Sequence, residues 1–134
     1  MATETKYIEA VGRRKTATAR VRITPSESTT FVVNDKDISV YFSNESAVKR
    51  IKDVLTNDEA GVGDYSITVI VSGSGTSAQA DAIRLGIARA LVKEKAERRT
   101  PLKKEGFLKR DPRSVERKKF GLRKARKRPA WSKR

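Results

Sequence analysis

Apolar and polar residues alternate most cleanly over residues 16–23, where Ala17, Ala19, Val21 and Ile23 fall on one side of an extended chain and Thr16, Thr18, Arg20 and Arg22 on the other. The pattern predicts a strand with one face in a core and the other face cationic. A shorter strand is expected over residues 6–11, with Gly12 marking a bend. Thr24-Pro25-Ser26 is turn chemistry, residues 31–33 read as another short strand, and Asn34-Asp35 makes the next turn. Ile38, Val40, Tyr41 and Phe42 form a mixed apolar patch that fits strand and helix equally. A helix follows, capped by Ser43 or Asn44: Ala47, Val48, Ile51, Val54 and Leu55 recur at three- and four-residue spacing, while Lys49, Arg50 and Lys52 face out.

Gly61 and Gly63 bracket a turn, and residues 65–71 (YSITVIV) are the most hydrophobic strand of the chain and so its expected central one. After Ser72-Gly73-Ser74-Gly75, Thr76 and Gln79 have capping-box spacing and open the longest helix, residues 77–93. Along it Ala78, Ala82, Gly86 and Ala90 recur every four residues, a stripe of small side chains that lets a helix lie close against its neighbour. From Lys93 the pattern dissolves. Pro101 is expected to end any helix, Gly106 and Asp111-Pro112 mark turns, and Asp111 is placed to cap a short basic helix over residues 112–120. The expectation is a globular α/β body over residues 1–100 and an extended basic tail over residues 101–134.

Charge sharpens that division. The chain of 134 residues has a formal net charge of +15. Residues 93–134 hold 19 Lys or Arg against 5 acids, whereas residues 1–92 hold 12 against 11. Only 10 of those last 42 residues are apolar, against 39 of the first 92. Such a segment buries too little apolar surface to offset chain entropy and like-charge repulsion, so it needs a polyanion to order it.

With no Cys and no His, disulfides, thiolate nucleophiles, Cys/His zinc sites and His-based catalytic triads are excluded. Residues 1–10 carry Glu4 and Glu9 and no signal-length apolar run, and nowhere do 18 apolar residues follow one another. Most routes to catalysis are closed by the missing Cys and His, and a soluble, intracellular protein is expected.

The basic strand approach and strand, Arg13, Arg14, Lys15, Arg20 and Arg22, set five cations on about 35 Å of extended chain. No acid lies between Glu9 and Glu27 to balance them, which favours phosphate contact over a merely solvated face. In the tail, Arg110, Arg113, Arg117, Lys118 and Lys119 are followed by Arg123, Lys124, Arg126, Lys127 and Arg128, with Phe107, Phe120 and Trp131 interleaved. Arg suits bidentate phosphate contact. An aromatic among cations can stack on an unpaired base, although Phe107 and Phe120 are equally readable as anchors that hold the tail to the body. Extended, residues 117–134 reach up to about 60 Å. The scattered apolar residues and Pro129 argue against a membrane-surface helix, and the lack of a groove-reading module favours structured RNA over sequence-specific DNA.

Other constellations are weaker. Gly73-x-Gly75-x-x-Ala78 has dinucleotide-loop spacing, but no second strand ending in an acid follows, and no P-loop Lys-Ser/Thr is present. No cofactor and no metal is expected. The loop over residues 72–77 reads as a tight turn and cap or as a seat for one phosphate of a larger polyanion. Asp35, Asp37, Asp58 and Glu59 lie in turns, with no sign of a tuned acid/base pair.

Three blocks together resemble one family: residues 12–23 (GRRKTATARVRI), 75–91 (GTSAQADAIRLGIARAL) and 110–134 (RDPRSVERKKFGLRKARKRPAWSKR). They are similar to the S nine family of small-ribosomal-subunit proteins. The resemblance implies an α+β fold, a two-layer body of about four strands with helices on one side and a left-handed strand-helix-strand crossover, plus the long basic tail. It implies docking on 16S-type rRNA in the subunit head beside neighbouring head proteins. The tip, Ser132, Lys133 and Arg134, would then reach the anticodon stem-loop of P-site tRNA. The alternative is a free architectural nucleic-acid-binding protein without sequence preference.

Overall fold

The alternating stretch lies in a strand, β2 (Ala17–Pro25), and its parity holds: Ala17, Ala19, Val21 and Ile23 are all at most 1% exposed, while Thr18 and Arg20 face solvent. The computed structural model describes residues 7–56 and 64–130. Around β2, the strands β1 (Ile8–Arg14), β3 (Thr30–Val33), β4 (Lys36–Asp37) and β5 (Tyr65–Ser72) complete one mixed sheet in the order β1-β2-β5-β3-β4. β1 and β2 form a hairpin turned at Lys15 (φ 51°), and β2 runs antiparallel to β5. β3 is parallel to β5, so the chain must cross over between them. It does so through β4, α1 (Ile38–Tyr41) and α2 (Glu45–Asp53). Asn34 extends the β3–β5 edge with its side chain, donating to the Val71 carbonyl and accepting from the Val71 N–H, each at 2.9 Å. Its φ of 48° is a conformation Asn tolerates well.

The helices cover one face. α3 (Thr76–Glu94) lies on β1 and β2, with α2 beside it. Ile83, Ile87 and Leu91 of α3 meet Val21, Ile23, Ile67 and Val69 of the sheet, and Ile51 and Phe42 close the core. The stripe of small residues has the meaning expected of it. A Cβ on Gly86 would sit 2.6 Å from Val21 Cγ2, and one on Gly12 would sit 1.8 Å from the Ala82 carbonyl oxygen. Gly12 is therefore no bend. It stands inside β1 because only a missing side chain lets that strand touch the helix.

Other expectations are narrowed or changed. The residues 38–42 patch resolves into the single turn α1, whose Ile38 is buried while Val40 is 70% exposed. β5 is central as expected, yet it alternates: Ile70 is 57% exposed, because among the described residues no layer covers the second face. The Thr76/Gln79 capping box does not form; Gly75 is the N-cap, and the Gln79 side chain instead donates to the Gly73 carbonyl at 3.0 Å. The Asn44 cap of α2 does form, its side chain accepting from Ser46 N–H at 2.9 Å. The turn at Gly61 and Gly63 lies outside the described residues.

Pro101 does not end the helical structure. A 3-10 turn (Ala96–Arg98) leads into α4 (Arg99–Lys104), and Pro101 sits in its first turn, where a missing N–H leaves no bond unmade. Packing continues past it: Leu102 is fully buried, and Phe107 and Leu108 lie against the core. Nor does Asp111 cap a helix. Residues 110–119 have no regular structure, and the Asp111 carboxylate accepts from the Arg113 N–H at 2.9 Å in a local turn.

Candidate nucleic-acid interface

Cationic residues from four parts of the chain converge where the end of β1, α2, the middle of α3 and the root of the tail meet. Arg13 and Arg14 come from β1, Arg50 from α2, Arg84 from α3, and Lys109 and Arg113 from the segment after α4. Together they line a cleft of about 240 Å³ whose carboxylates are Asp81 and Asp111. Six cations thus face two acids.

The acids organise the cluster. Asp81 Oδ1 accepts from Arg50 at 2.9 Å, and its other oxygen lies 3.7 Å from Arg14 Nε. Arg50 also donates to Ser77 Oγ at 3.2 Å. Asp111 receives Arg14 on one side and Arg113 on the other, the latter at 2.6 Å. These contacts, led by the Arg113 hydrogen bonds, hold the Asp111 carboxyl well below the usual carboxylate range, and Asp111 in turn raises Arg113. The Arg14 and Arg50 Nε groups are buried without a hydrogen-bond acceptor. Among the described residues, Arg13, Arg84 and Lys109 have no carboxylate within ion-pair distance. The cleft keeps an excess of positive potential, as an anion-focusing concavity does.

The open face of the sheet is more balanced than its sequence suggests. Register places Glu9 opposite Arg22, and its carboxylate takes Arg22 Nε at 3.0 Å and Arg20 Nε at 3.2 Å. Arg22 also lies over the Tyr7 ring, 4.5 Å from its centroid. The unbalanced density inferred for the basic strand therefore reduces to Arg13 and Lys15, since Arg14, Arg20 and Arg22 all have partners within the chain. The Glu9 pairs, on the exposed Arg20 and Arg22 side chains, are weak and exchangeable for phosphate.

In the tail, Arg110, Arg117, Lys118, Arg123, Lys124, Lys127 and Arg128 are solvent-exposed. Glu116 gathers Lys119 at 2.6 Å and Arg126 at 2.8 Å, and both contacts hold its carboxyl below its ordinary range. The two aromatics separate. Phe107 is an anchor, packed on the core with Arg84 5.7 Å from its ring centroid, whereas Phe120 is 98% exposed. Trp131, Ser132, Lys133 and Arg134 lie outside the described residues.

Sequence reasoning missed Arg50, Arg84 and Lys109. Arg50 and Arg84 look like the outer face of ordinary helices, and only the fold turns them toward Arg13. It also missed Arg98, which is 3% exposed, pairs with Glu94 at 3.2 Å and sits 5.7 Å from the Tyr65 ring centroid. Burial first, and then the Glu94 hydrogen bond, push the Tyr65 hydroxyl above its usual pKa. Arg98 is part of the core rather than of the interface. The loop over residues 72–77 is a tight turn: a Cβ on Gly73 (φ +84°) would lie 2.4 Å from the Thr16 carbonyl oxygen. Among the described residues no cluster of metal-ligating side chains is present.

Comparison with known proteins gives the family of the chain. The family model described as ribosomal protein S9/S16 matches residues 12–134. The small ribosomal subunit protein uS9 of Cytophaga hutchinsonii is 50% identical over 129 residues, covering 96% of this chain and 99% of its own length. The chain belongs to the ribosomal protein S9/S16 family, as a structural, non-enzymatic protein of the small subunit of the cytoplasmic ribosome.

Proposed function

We propose that this protein docks on 16S-type rRNA in the head of the small subunit through two connected surfaces. The cleft of Arg13, Arg84, Lys109 and Arg113 takes backbone phosphate, and the exposed cations of residues 110–128 follow the RNA away from it. The carrying observation is the cleft itself: six cations around two acids, at the root of the tail. Phosphate there answers Arg13, Arg84 and Lys109 directly and competes with Asp111 for Arg14 and Arg113. Arg20 and Arg22 add contacts once they exchange Glu9 for phosphate. Neighbouring head proteins then meet the surfaces that RNA leaves free.

The tip, Ser132 to Arg134, reaches the anticodon stem-loop of P-site tRNA. A tail of this length and charge, rooted in an RNA-bound cleft, is long enough to pass through rRNA to a distant site. Removing Ser132 to Arg134 leaves the protein in the particle and weakens tRNA retention in a filter-binding assay; unchanged retention takes the tip out of the mechanism. For the cleft, the triple variant Arg13→Gln/Arg84→Gln/Lys109→Gln lowers the slope of log affinity against log salt by about 2 to 3 on small-subunit rRNA. An unchanged slope would overturn its role.

A further inference from the structure

Phe120 is the most exposed large apolar side chain among the described residues, at 98%. It is not on a random stretch. The segment around it is closed on itself: Glu116 holds Lys119 and, ten residues on, Arg126, while Leu122 N–H donates to the Lys119 carbonyl and Arg123 N–H to the Lys127 carbonyl. Gly121, at φ +77°, turns the chain directly after the ring. Of the apolar side chains within this loop, Leu122 and Ala125 are half-buried and only Phe120 points out. A ring left in water forgoes the stabilisation of burial, so its outward placement calls for an external partner.

Charge selects that partner. Residues 117–128 contain eight Lys or Arg and no acid, and Glu116 is already taken by two cations. Whatever receives the ring must bring negative charge within a few ångströms of it. A protein pocket lined for an aromatic side chain brings little. An unstacked base brings a flat π-face with phosphates on either side, matching a ring set among cations.

We infer that Phe120 is a base-stacking residue, the outward ring of a loop fastened by Glu116, and that its ligand is one unpaired purine or pyrimidine of rRNA. This rests on the rRNA-docking reading above. The backbone hydrogen bonds of the loop, with the Glu116 contacts beside them, favour this form before contact, which lowers the ordering cost of binding.

The test uses the full chain with Phe120→Trp in a Trp131→Phe background, which leaves a single indole. It is titrated with protein-free small-subunit rRNA transcript, and binding is followed separately by mobility shift. Quenching of the indole emission in step with the shift supports the inference. A shifted complex with unquenched emission overturns it, and a blue shift that comes only when other small-subunit proteins are added assigns the ring to a protein pocket instead. Absence of any mobility shift defeats the rRNA reading itself, and the inference with it. A second series separates stacking from simple apolar contact. Phe120→Ala and Phe120→Leu both weaken transcript binding by about 5- to 150-fold with an unchanged salt slope, while Phe120→Tyr retains affinity. Full affinity in Phe120→Leu overturns the stacking role.

Discussion

Arg14, the last residue of the first strand, holds Asp111, 97 residues later: its guanidinium sits on the Asp111 carboxylate and donates to the Asp111 backbone carbonyl at 3.4 Å. That contact fixes where the tail leaves the body. Because Asp111 also holds Arg113, a single acid sets the direction of the first tail residues and at the same time offsets part of the cleft's positive charge.

Asp111→Asn releases the root of the tail without unfolding the body. Limited trypsin digestion of the free protein then cuts faster after Lys109, Arg110 and Arg113, while the thermal midpoint of the body is unchanged within error. The same contact depends on pH. Asp111 has a depressed carboxyl pKa in the folded chain, so closure is complete above the ordinary carboxylate range and is lost only as pH falls below that range. Glu116 closes its loop with the same sign. Tail digestion measured relative to an unstructured peptide carrying the same cleavage sites is therefore the same at pH 5 as at pH 7.

Gly12→Ala drives a Cβ into the backbone of α3 and destabilises the protein by about 3 kcal/mol, read from urea unfolding. Gly86→Ala meets a Val21 methyl first, at 2.6 Å, with the nearest backbone atom, Gly12 N, at 3.2 Å, and the cost is smaller, about 1 to 2 kcal/mol. Equal effects would mean that the strand and helix are free to move apart.

Arg98→Ala strands Glu94 and empties a buried position beside Tyr65, at a cost of about 3 kcal/mol. Its effect on RNA affinity, measured at a temperature where the variant is folded, is nil. Arg98 is thereby separable from the interface arginines, whose loss has the opposite profile.

Glu9→Gln removes the carboxylate that occupies Arg20 and Arg22. Affinity for rRNA rises by about two- to fivefold at low salt, the scale of an exposed ion pair. A fall in affinity would show that Glu9 positions these arginines rather than competing for them.

What the sequence discloses and what it hides divide along a physical line. The parity of β2, the Asn44 cap and the small-residue stripe of α3 are local periodicities, and each is readable from spacing alone. Gly12 is different. Its lack of a side chain looks like a bend until the Ala82 carbonyl, seventy residues later, is placed 1.8 Å from its missing Cβ. The balance of the basic strand misleads for the same reason: Glu9 precedes it in sequence, but antiparallel register sets it opposite Arg22. Pro101 looks like a terminator because its position within a helix turn is unknown until the helix start is fixed. The cleft was half legible: Arg13, Arg14 and Arg113 stand out by local density, while Arg50 and Arg84 become cleft residues only through the packing of α2 and α3.

The central claim is that a folded body and its cationic tail act as one rRNA-binding surface. It is tested most directly by reconstituting small subunits with either the whole chain or a chain ending at Glu116, and then sedimenting the particles in high salt. The account predicts that the whole chain comigrates with the subunit while the shortened chain is lost to the top of the gradient. Equal retention of the two, or a whole chain that sediments free of the particle, would contradict it.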